Sequence, residues 1–333
     1  MKKLRTVFLG TPEIAVPFLE TVRNSPYCVL TAVLSQPDRS SGRGLKLKPS
    51  AVSIKAEEYG IPVFKPDKKK EIHSVIQELN PDIAVTCAYG RIIPEETLSL
   101  STMGFLNVHF SLLPAYRGAA PVQRALMDGE KESGVTIFRL DKGMDTGDIL
   151  VKKTLPVEIS DDAGSLFLKM TVIGKPLLDE SLKLCAEGRA VFTRQEGEAS
   201  YAAMLFPEEA VFDFSGDAVQ THNHIRGISC GPRARFILEL PGGKKQAVQV
   251  AGTLPCADMP GNFTPGQIVK VEKNGGFYVK CANGTLYIKE VKPEGKKFMK
   301  ASDFLNGARL RTGSIIQVLN QIPHQDLNFQ EKR

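Results

Sequence analysis

Two short stretches of the sequence hold residue types that could catalyse acyl transfer. Asn107 and His109 stand two positions apart at the end of an apolar run, and Asp145 lies in an acidic, glycine-containing turn at 141–148. An amide N–H and an imidazolium can donate hydrogen bonds to a developing oxyanion, while a carboxylate can orient the ring and favour its charged form. Because histidine titrates near neutrality, His109 could also move a proton. Taken alone, a structural histidine and a solvated turn are the simpler interpretation.

These side chains need a scaffold that brings their chain segments to one edge. The front half of the chain alternates apolar runs, at 4–9, 29–34, 82–88, 104–109 and 135–140, with stretches of helical spacing, at 14–24, 51–59, 71–79 and 163–187. Apolar strands separated by helices predict a parallel sheet covered on both faces. Ligands bind beyond the carboxyl ends of such strands, and side chains two positions apart on a strand share a face. We therefore expect Asn107 and His109 at one edge of a Rossmann-like, mostly parallel α/β sheet.

The back half of the chain has the pattern of a small β-domain. From residue 211 onward its apolar runs are short and are separated by turn pairs such as Asn283-Gly284. Alternating segments at 276–281 and 284–289 predict hairpin strands. Many short strands indicate a small OB-like β-barrel. The predicted order is an α/β domain at 1–188, a linker at 189–207 and a β-barrel domain at 208–320.

The composition excludes several classes of protein. The chain has 333 residues, of which 42% are hydrophobic and 24% charged, unlike disordered, collagen-like or coiled-coil chains. Since no apolar run reaches the ~18 residues of a membrane helix, no membrane span is expected. Six cysteines without a CxxC pair fit reduced thiols in a cytoplasm better than a disulfide framework or a zinc site. His222 and His224 resemble a short metal motif but lack a nearby Cys or carboxylate cluster, so no metal is expected.

The net charge of +6 is unevenly distributed along the chain. Residues 1–205 hold 26 Lys and Arg against 25 Asp and Glu, whereas residues 206–333 hold 17 against 12. A nearly neutral front half and a basic back half suggest that the front half carries out the chemistry and the back half binds a polyanion. A surface that only keeps the protein soluble explains the same charges equally well.

The order of the motifs resembles the folate-dependent formyltransferases. The chain carries N-x-H-x-S-L-L-P-x-x-R-G at 107–118 and D-x-G-x-D-T-G-D at 141–148, with further similarity at 8–12, 36–39, 88–90 and 118–123. In this family the formyl group of 10-formyltetrahydrofolate passes to an amine, without a metal or a covalent enzyme intermediate. The resemblance is strongest to members that formylate methionine on initiator tRNA, and those members also have a barrel-like back half.

The resemblance implies a role for each residue of the site. Asn107 would donate to the formyl oxygen, His109 would stabilise the oxyanion and assist proton transfer, and Asp145 would orient and polarise His109 directly or through a water. The implied folate contacts are Ser111, Leu112, Leu113, Pro114, Ala88, Tyr89, Gly90, Arg91, Ile92, Arg139, Leu140 and Asp141. Apolar walls with exposed backbone groups suit a flat heterocycle. For Leu112 and Leu113, packing in the core is the alternative.

A basic loop at 36–50 is the candidate contact with nucleic acid. It carries Arg39, Arg43, Lys46 and Lys48, and its two glycines and two prolines predict a mobile loop rather than a helix. Basic side chains on such a loop can follow a phosphate backbone. The resemblance implies that the loop grips the acceptor stem of the tRNA, chiefly through Arg43. A solvated surface loop is the alternative.

Two other functions fit parts of the pattern. The same folate donor could serve another acceptor, such as a nucleotide-sugar amine, glycinamide ribonucleotide or water, and a degenerate domain could bind RNA without catalysis. The basic loop and basic back half favour tRNA over the small acceptors, and the intact Asn107, His109 and Asp145 argue against a non-enzyme. We therefore expect a cytoplasmic monomer that binds 10-formyltetrahydrofolate and initiator methionyl-tRNA and needs neither a metal nor a membrane.

Overall fold

The computed structural model describes residues 3–41, 46–239 and 245–316 of the chain. Up to residue 202 the elements are β1 (Leu4–Gly10), a 3-10 turn (Glu13–Ala15), α1 (Val16–Asn24), β2 (Cys28–Leu34), β3 (Arg39–Ser41), β4 (Lys46–Lys48), α2 (Ala51–Glu58), β5 (Val63–Phe64), α3 (Lys69–Leu79), β6 (Ile83–Cys87), α4 (Glu95–Leu98), β7 (Phe105–His109), β8 (Arg117–Gly118), α5 (Pro121–Asp128), β9 (Glu132–Arg139), β10 (Ile149–Pro156), α6 (Ala163–Ala186) and β11 (Tyr201–Ala202). They continue with a 3-10 turn (Pro207–Ala210), α7 (Ala218–Gly227), β12 (Arg235–Glu239), β13 (Lys245–Cys256), β14 (Ile268–Val271), β15 (Phe277–Lys280), β16 (Thr285–Pro293), β17 (Met299–Lys300) and α8 (Ala301–Ala308). Contacts divide the chain into two units, the second of which comprises Gln123–Lys131, Val157–Gly164 and the residues from Leu205 onward.

A seven-stranded mixed sheet lies at the centre of the first unit. Its strand order is β10-β9-β7-β6-β1-β2-β5. The strands from β7 to β5 are parallel, and β9 and β10 are antiparallel to their neighbours. The prediction of a mostly parallel α/β sheet is therefore confirmed. Because β1, β6 and β7 are adjacent and parallel, their carboxyl ends at Gly10, Cys87 and His109 meet at one edge of the sheet.

Apolar strands and amphipathic helices explain how this sheet is covered. All residues of β6 are buried, as expected for a strand packed on both faces. At helical spacing, α1 buries Phe18, Leu19 and Val22, and α3 buries Ile72 and Ile76. Each fully buried side chain of this size stabilises the fold by about 1.5–3 kcal/mol relative to its exposed state.

Two segments of the first unit are not evident from apolar patterning. β10 is an edge strand in which Lys152, Lys153 and Thr154 are exposed, so its apolar pattern is interrupted. Part of the stretch predicted as a linker also pairs within the first unit, because Thr193 bridges to Ile149 and β11 pairs in parallel with β8. Backbone pairing therefore orders a segment whose side chains show no periodicity.

An antiparallel sheet forms the core of the second unit. Its strand order is β12-β13-β16-β15-β14, with β17 paired to β16, and it curls into a half-barrel. Phe212, Phe214, Phe236 and Phe277 pack in its core with residues of α7 and α8. A small β-domain thus follows the α/β domain, as the turn pairs and short apolar runs predict.

The two histidines of α7 are bound within the second unit. His222 donates from Nε2 to the Ile159 carbonyl and accepts at Nδ1 from the Thr253 hydroxyl, each at 2.9 Å. His224 lies with Nε2 2.8 Å from the Glu209 carbonyl. Burial lowers the pKa of both histidines, so both are neutral structural groups near pH 7. Within the described ranges, no group of three His, Cys, Asp or Glu side chains could hold a metal ion, and no helix could cross a membrane.

Candidate active site

Strand β7 carries the first two residues of the candidate site. Asn107 and His109 share one face of the strand and lie opposite Phe138 and Thr136 of β9. The Thr86 hydroxyl, on the neighbouring strand β6, donates a hydrogen bond to Oδ1 of Asn107 at 2.7 Å. Since this contact uses the amide oxygen, the NH2 group of half-buried Asn107 is the part of the side chain that can donate to a ligand.

His109 is held in a defined tautomer. Its Nε2 lies 2.9 Å from the carbonyl oxygen of Tyr116, which can only accept, so the proton of the neutral ring sits on Nε2. Nδ1 is then the nitrogen with the lone pair. Burial lowers the pKa of His109, and the Asp145 carboxylate and the Tyr116 carbonyl oppose part of that effect. His109 is therefore a neutral ring near pH 7 that can accept a proton at Nδ1.

The turn at 141–148 presents Asp145 to this ring. The Asp141 carboxylate stabilises the turn by accepting hydrogen bonds from a backbone N–H and a hydroxyl within it. Asp145 has a φ of 53°, in the left-handed region. Gly147 is required by a close approach, since a Cβ there would lie 1.8 Å from the Arg139 carbonyl oxygen. The motif residues thus shape the turn as well as supply its carboxylate.

The Asp145 carboxylate and the His109 ring face each other across a short gap. Oδ2 of Asp145 lies 3.7 Å from Nδ1 of His109, beyond hydrogen-bond range, and accepts from the Gly118 N–H at 2.8 Å. The hydrogen bond that orients the ring therefore comes from Tyr116. Because the site is largely removed from water, the carboxylate at this separation can stabilise an imidazolium by charge.

Thr86 and Tyr116 contact the site, and the motifs do not reveal them. Thr86 reaches Asn107 only because β6 and β7 are paired, with Thr86 opposite Asn107 in the register. Tyr116 acts through its backbone carbonyl, so the identity of its side chain carries no signal. Only its position next to Arg117 within the 107–118 motif could have drawn attention to it, and its left-handed φ of 59° is visible in the structure alone.

The predicted folate segment after β7 divides into buried and accessible residues. Leu113 is fully buried in an apolar cluster, as the alternative interpretation of that residue expects. The Ser111 hydroxyl donates to a backbone carbonyl within the same segment at 2.6 Å. Leu112 and Pro114 are half-buried. What the segment can offer a ligand is therefore its backbone together with the side chains of Leu112 and Pro114.

The loop after β6 is divided in the same way. Tyr89 is buried, which raises the pKa of its hydroxyl to about 12, and Arg91 is paired with Asp67 at 2.7 Å. The exposed members of the predicted set are Ala88, Gly90 and Ile92. An exposed isoleucine beside two small residues leaves apolar surface and backbone groups available, which suits one face of a flat heterocycle.

The residues after β9 that are predicted to contact folate also make contacts within the protein. Arg139 lies over the Phe192 ring, 4.4 Å from its centroid, and Nη2 of Arg139 is 3.6 Å from Asp148. Leu140 packs against the core, and Asp141 belongs to the turn. The apolar side chain that this segment exposes is Met144, at 63%. The loops after β6 and β9 therefore each expose a large apolar side chain.

A cavity of about 330 Å³ lies beyond the carboxyl ends of β1 and β6. Arg39 and Lys48, which pair across β3 and β4, line it together with Thr11 and Ala88. The sequence predicts a mobile loop at 36–50, whereas the structure pairs two short antiparallel strands, β3 and β4, within it. Arg43 and the side chain of Lys46 lie outside the described residues.

The comparisons with known proteins cover nearly the whole chain. Residues 4–181 match the family Formyl transferase, and residues 204–309 match Formyl transferase, C-terminal domain. A methionyl-tRNA formyltransferase of Citrifermentans bemidjiense is 40% identical over 95% of this chain and 97% of that protein. One of Geobacter sulfurreducens is 38% identical over 97% and 100%, and one of Elusimicrobium minutum is 36% identical over 94% and 99%.

Solved structures share the fold at lower identity. HypX from Aquifex aeolicus in complex with tetrahydrofolic acid has a TM-score of 0.59 at 17% identity, covering 91% of this chain and 47% of that one. WlaRD, a sugar 3N-formyl transferase, has a TM-score of 0.62 at 18% identity, covering 89% and 100%. The family match and the full-length relatives carry the assignment. The chain belongs to the formyl transferase family, together with the methionyl-tRNA formyltransferases.

Proposed function

We propose that this protein transfers the formyl group of 10-formyltetrahydrofolate to the α-amino group of methionine esterified to initiator tRNA. The product is N-formylmethionyl-tRNA for translation initiation. The observation that carries the proposal is the similarity to methionyl-tRNA formyltransferases, at 36–40% identity over 94–97% of this chain. The arrangement of Asn107, His109 and Asp145 at the carboxyl edge of the sheet supports it.

Asn107 is the oxyanion donor in this mechanism. The amine attacks the formyl carbon as the free base, so a new N–C bond forms and the formyl oxygen gains negative charge. The Thr86 hydroxyl holds the amide oxygen of Asn107, which leaves the NH2 group to donate to that oxygen. A preorganised donor of this kind stabilises the transition state more than the ground state.

His109 takes the proton that the attacking amine releases. Tyr116 holds the Nε2 proton, so Nδ1 is the acceptor, and the Asp145 carboxylate 3.7 Å away stabilises the imidazolium that forms. When the C–N bond to the folate breaks, the same Nδ1–H can return the proton to the leaving nitrogen. Because Nδ1 of the neutral ring carries no proton, His109 can donate to the oxyanion only after it has taken a proton from the amine.

The remaining contacts follow from exposure and charge. The folate would lie against the backbone of residues 111–114 and the exposed part of the loop after β6. Arg39 and Lys48, at the cavity beyond β1 and β6, would contact phosphates of the acceptor stem, with Arg43 and Lys46 on the same loop. The protein would act as a cytoplasmic monomer.

A direct assay tests the proposal. The purified protein is mixed with 10-formyltetrahydrofolate and charged initiator methionyl-tRNA, and N-formylmethionine is measured after hydrolysis of the ester. Parallel reactions contain a nucleotide-linked amino sugar, glycinamide ribonucleotide, or no acceptor. We expect formylation of the tRNA and little release of formate. Turnover with a small amine or water in place of the tRNA would contradict the proposal, as would no turnover with any acceptor.

A further inference from the structure

Residues 193–202, here called the strap, lie within the stretch that the sequence predicts as a linker. At one end, Thr193 and Ile149 exchange two backbone hydrogen bonds of 2.8 Å. At the other end, the Ser200 carbonyl accepts from the Arg117 N–H at 2.8 Å, and the Ala202 carbonyl accepts from the N–H groups of residues 119 and 120. The strap is therefore fixed by backbone pairing on both sides of its central residues.

Gln195, in the middle of the strap, joins two separate segments of the candidate site. Its Nε2 donates to the carbonyl oxygens of Asp145 and Gly147, each at 2.8 Å. Its Oε1 accepts from the Arg117 guanidinium, at 2.7 Å from Nη2 and 3.2 Å from Nε. The Gln195 amide thus donates to two carbonyls of the Asp145 turn and accepts from two nitrogens of the Arg117 guanidinium on β8. A carboxamide is the side chain that can donate and accept in this way.

Residues 116–118, which Gln195 contacts through Arg117, also contact His109 and Asp145, the proton-transfer pair. The Tyr116 carbonyl holds Nε2 of His109, and the Gly118 N–H donates to Oδ2 of Asp145. Three consecutive residues therefore contact His109, Gln195 and Asp145 in turn. With Gln195 bound to the carbonyl of Asp145, hydrogen bonds link Asp145, Gln195 and residues 117–118 in a closed loop. His109 is joined to this loop through Tyr116.

We infer that Gln195 is a positioning residue that fixes the Asp145 turn against β8 and so sets the separation between Asp145 and His109. The inference rests on the proposed function, since it assigns Gln195 a part in the same reaction. Asp145 has left-handed backbone geometry, which strains the turn unless its surroundings hold it. Two hydrogen bonds to the carbonyls of the turn supply that restraint. Misplacing a reacting group by about 1 Å can lower turnover about 100-fold.

The test compares two replacements of Gln195 with a matched control. Gln195→Ala removes all its contacts, whereas Gln195→Glu keeps the shape and the acceptor for Arg117 but loses both donors to the turn. Gln77→Ala makes the same change on the exposed face of α3. We expect both Gln195 variants to lose kcat by about 10- to 100-fold, with KM for folate and tRNA nearly unchanged. If Gln195→Glu keeps wild-type kcat, Gln195 acts by packing or through Arg117 alone, and the inference is wrong.

A second measurement does not depend on activity. Amide hydrogen exchange followed by mass spectrometry reports the protection of residues 141–148 in each variant. We expect this peptide to exchange faster in both Gln195 variants than in wild type or Gln77→Ala, with peptides of α1 and α3 unchanged. Unchanged exchange in the turn would overturn the inference, whatever the kinetics. If the wild type does not formylate tRNA, the proposed function fails, and the exchange experiment still decides whether Gln195 fixes the turn.

Discussion

Of the three candidate catalytic residues, Asn107, His109 and Asp145, the first two depend on a neighbouring group that selects how they act. Thr86 holds the oxygen of the Asn107 amide, and the Tyr116 carbonyl selects the nitrogen of His109 that is free to accept a proton. The types and spacing of the three residues are visible in the sequence. Their neighbours are not, because one acts across paired strands and the other acts through its backbone.

Replacing Asn107 by Ala should lower kcat by about 100- to 1,000-fold, as expected for loss of one oxyanion donor. The fold should survive, because Asn107 is half-buried. Single-turnover formylation of initiator methionyl-tRNA measures the effect, and thermal unfolding checks the structure. The exposed Asn24, at the end of α1, gives a matched Asn→Ala control that should keep wild-type turnover. Turnover near the wild-type rate in Asn107→Ala would remove Asn107 from the mechanism.

Replacing Asp145 by Asn should change the pH dependence as well as the rate. The carboxylate raises the pKa of His109, so its loss lets burial lower that pKa further. Since His109 acts as the neutral base, kcat/KM is lost as the pH falls through its pKa. The variant should therefore show that loss at lower pH, beneath a plateau at least about 100-fold lower.

The measurement is kcat/KM from about pH 5 to pH 9 for wild type and Asp145→Asn. The amine of the substrate titrates identically with both proteins, so a difference between the profiles reports the enzyme. A loss of activity that moves to higher pH in the variant would contradict the role given to Asp145.

At the scale of elements, patterning predicts what is buried on a regular period. The buried strands β1, β6 and β7 and the helices α1 and α3 follow from their apolar residues. The edge strand β10 and the strap do not, because exposed residues interrupt the first, and the second is ordered by backbone pairing and by the side-chain hydrogen bonds of Gln195. Gln195 lies 50 and 78 residues from its partners Asp145 and Arg117, so local pattern cannot indicate its contacts.

Gly147→Ala should deform the turn that carries Asp145. The added Cβ would meet the Arg139 carbonyl oxygen at 1.8 Å, so the backbone has to shift. We expect about 1–3 kcal/mol of lost stability and a clear fall in kcat. Gly307→Ala, on α8, is the matched control, because a Cβ there meets nothing within 4 Å. Thermal unfolding and kcat are measured together, and an unaffected Gly147→Ala enzyme would show that the turn tolerates displacement.

At the scale of the whole molecule, the net charge is unevenly divided between the two halves of the chain. The net charge of +6 arises mainly in the chain beyond residue 205, while the front half is nearly neutral and still places Arg39 and Lys48 at a cavity beside the sheet edge. An average over the front half therefore hides a local basic site. The apolar pattern predicts the fold and the motifs predict the chemistry. What each charged residue contacts depends on the folded structure, so the sequence does not show it.

Affinity for tRNA should fall steeply as salt rises, whereas affinity for folate should change little. Arg39→Gln and Lys48→Gln should each lower the slope of log affinity against log salt by about 1. Filter binding at several salt concentrations gives these slopes, and Lys175→Gln, at an exposed position of α6, is the charge-matched control. A flat response to salt would exclude a phosphate contact for these residues.

The membership of residues 157–164 in the second unit has a consequence for synthesis. The Ile159 and Asp161 carbonyls accept hydrogen bonds from His222 and Arg226, which lie 63 and 65 residues later in the chain. Ribosomes add about 5–20 residues per second, so these carbonyls stay hydrated for several seconds before their donors exist. The α/β sheet can form while the chain is still being made, but the segment between β10 and α6 reaches its final place only after α7 has left the exit tunnel.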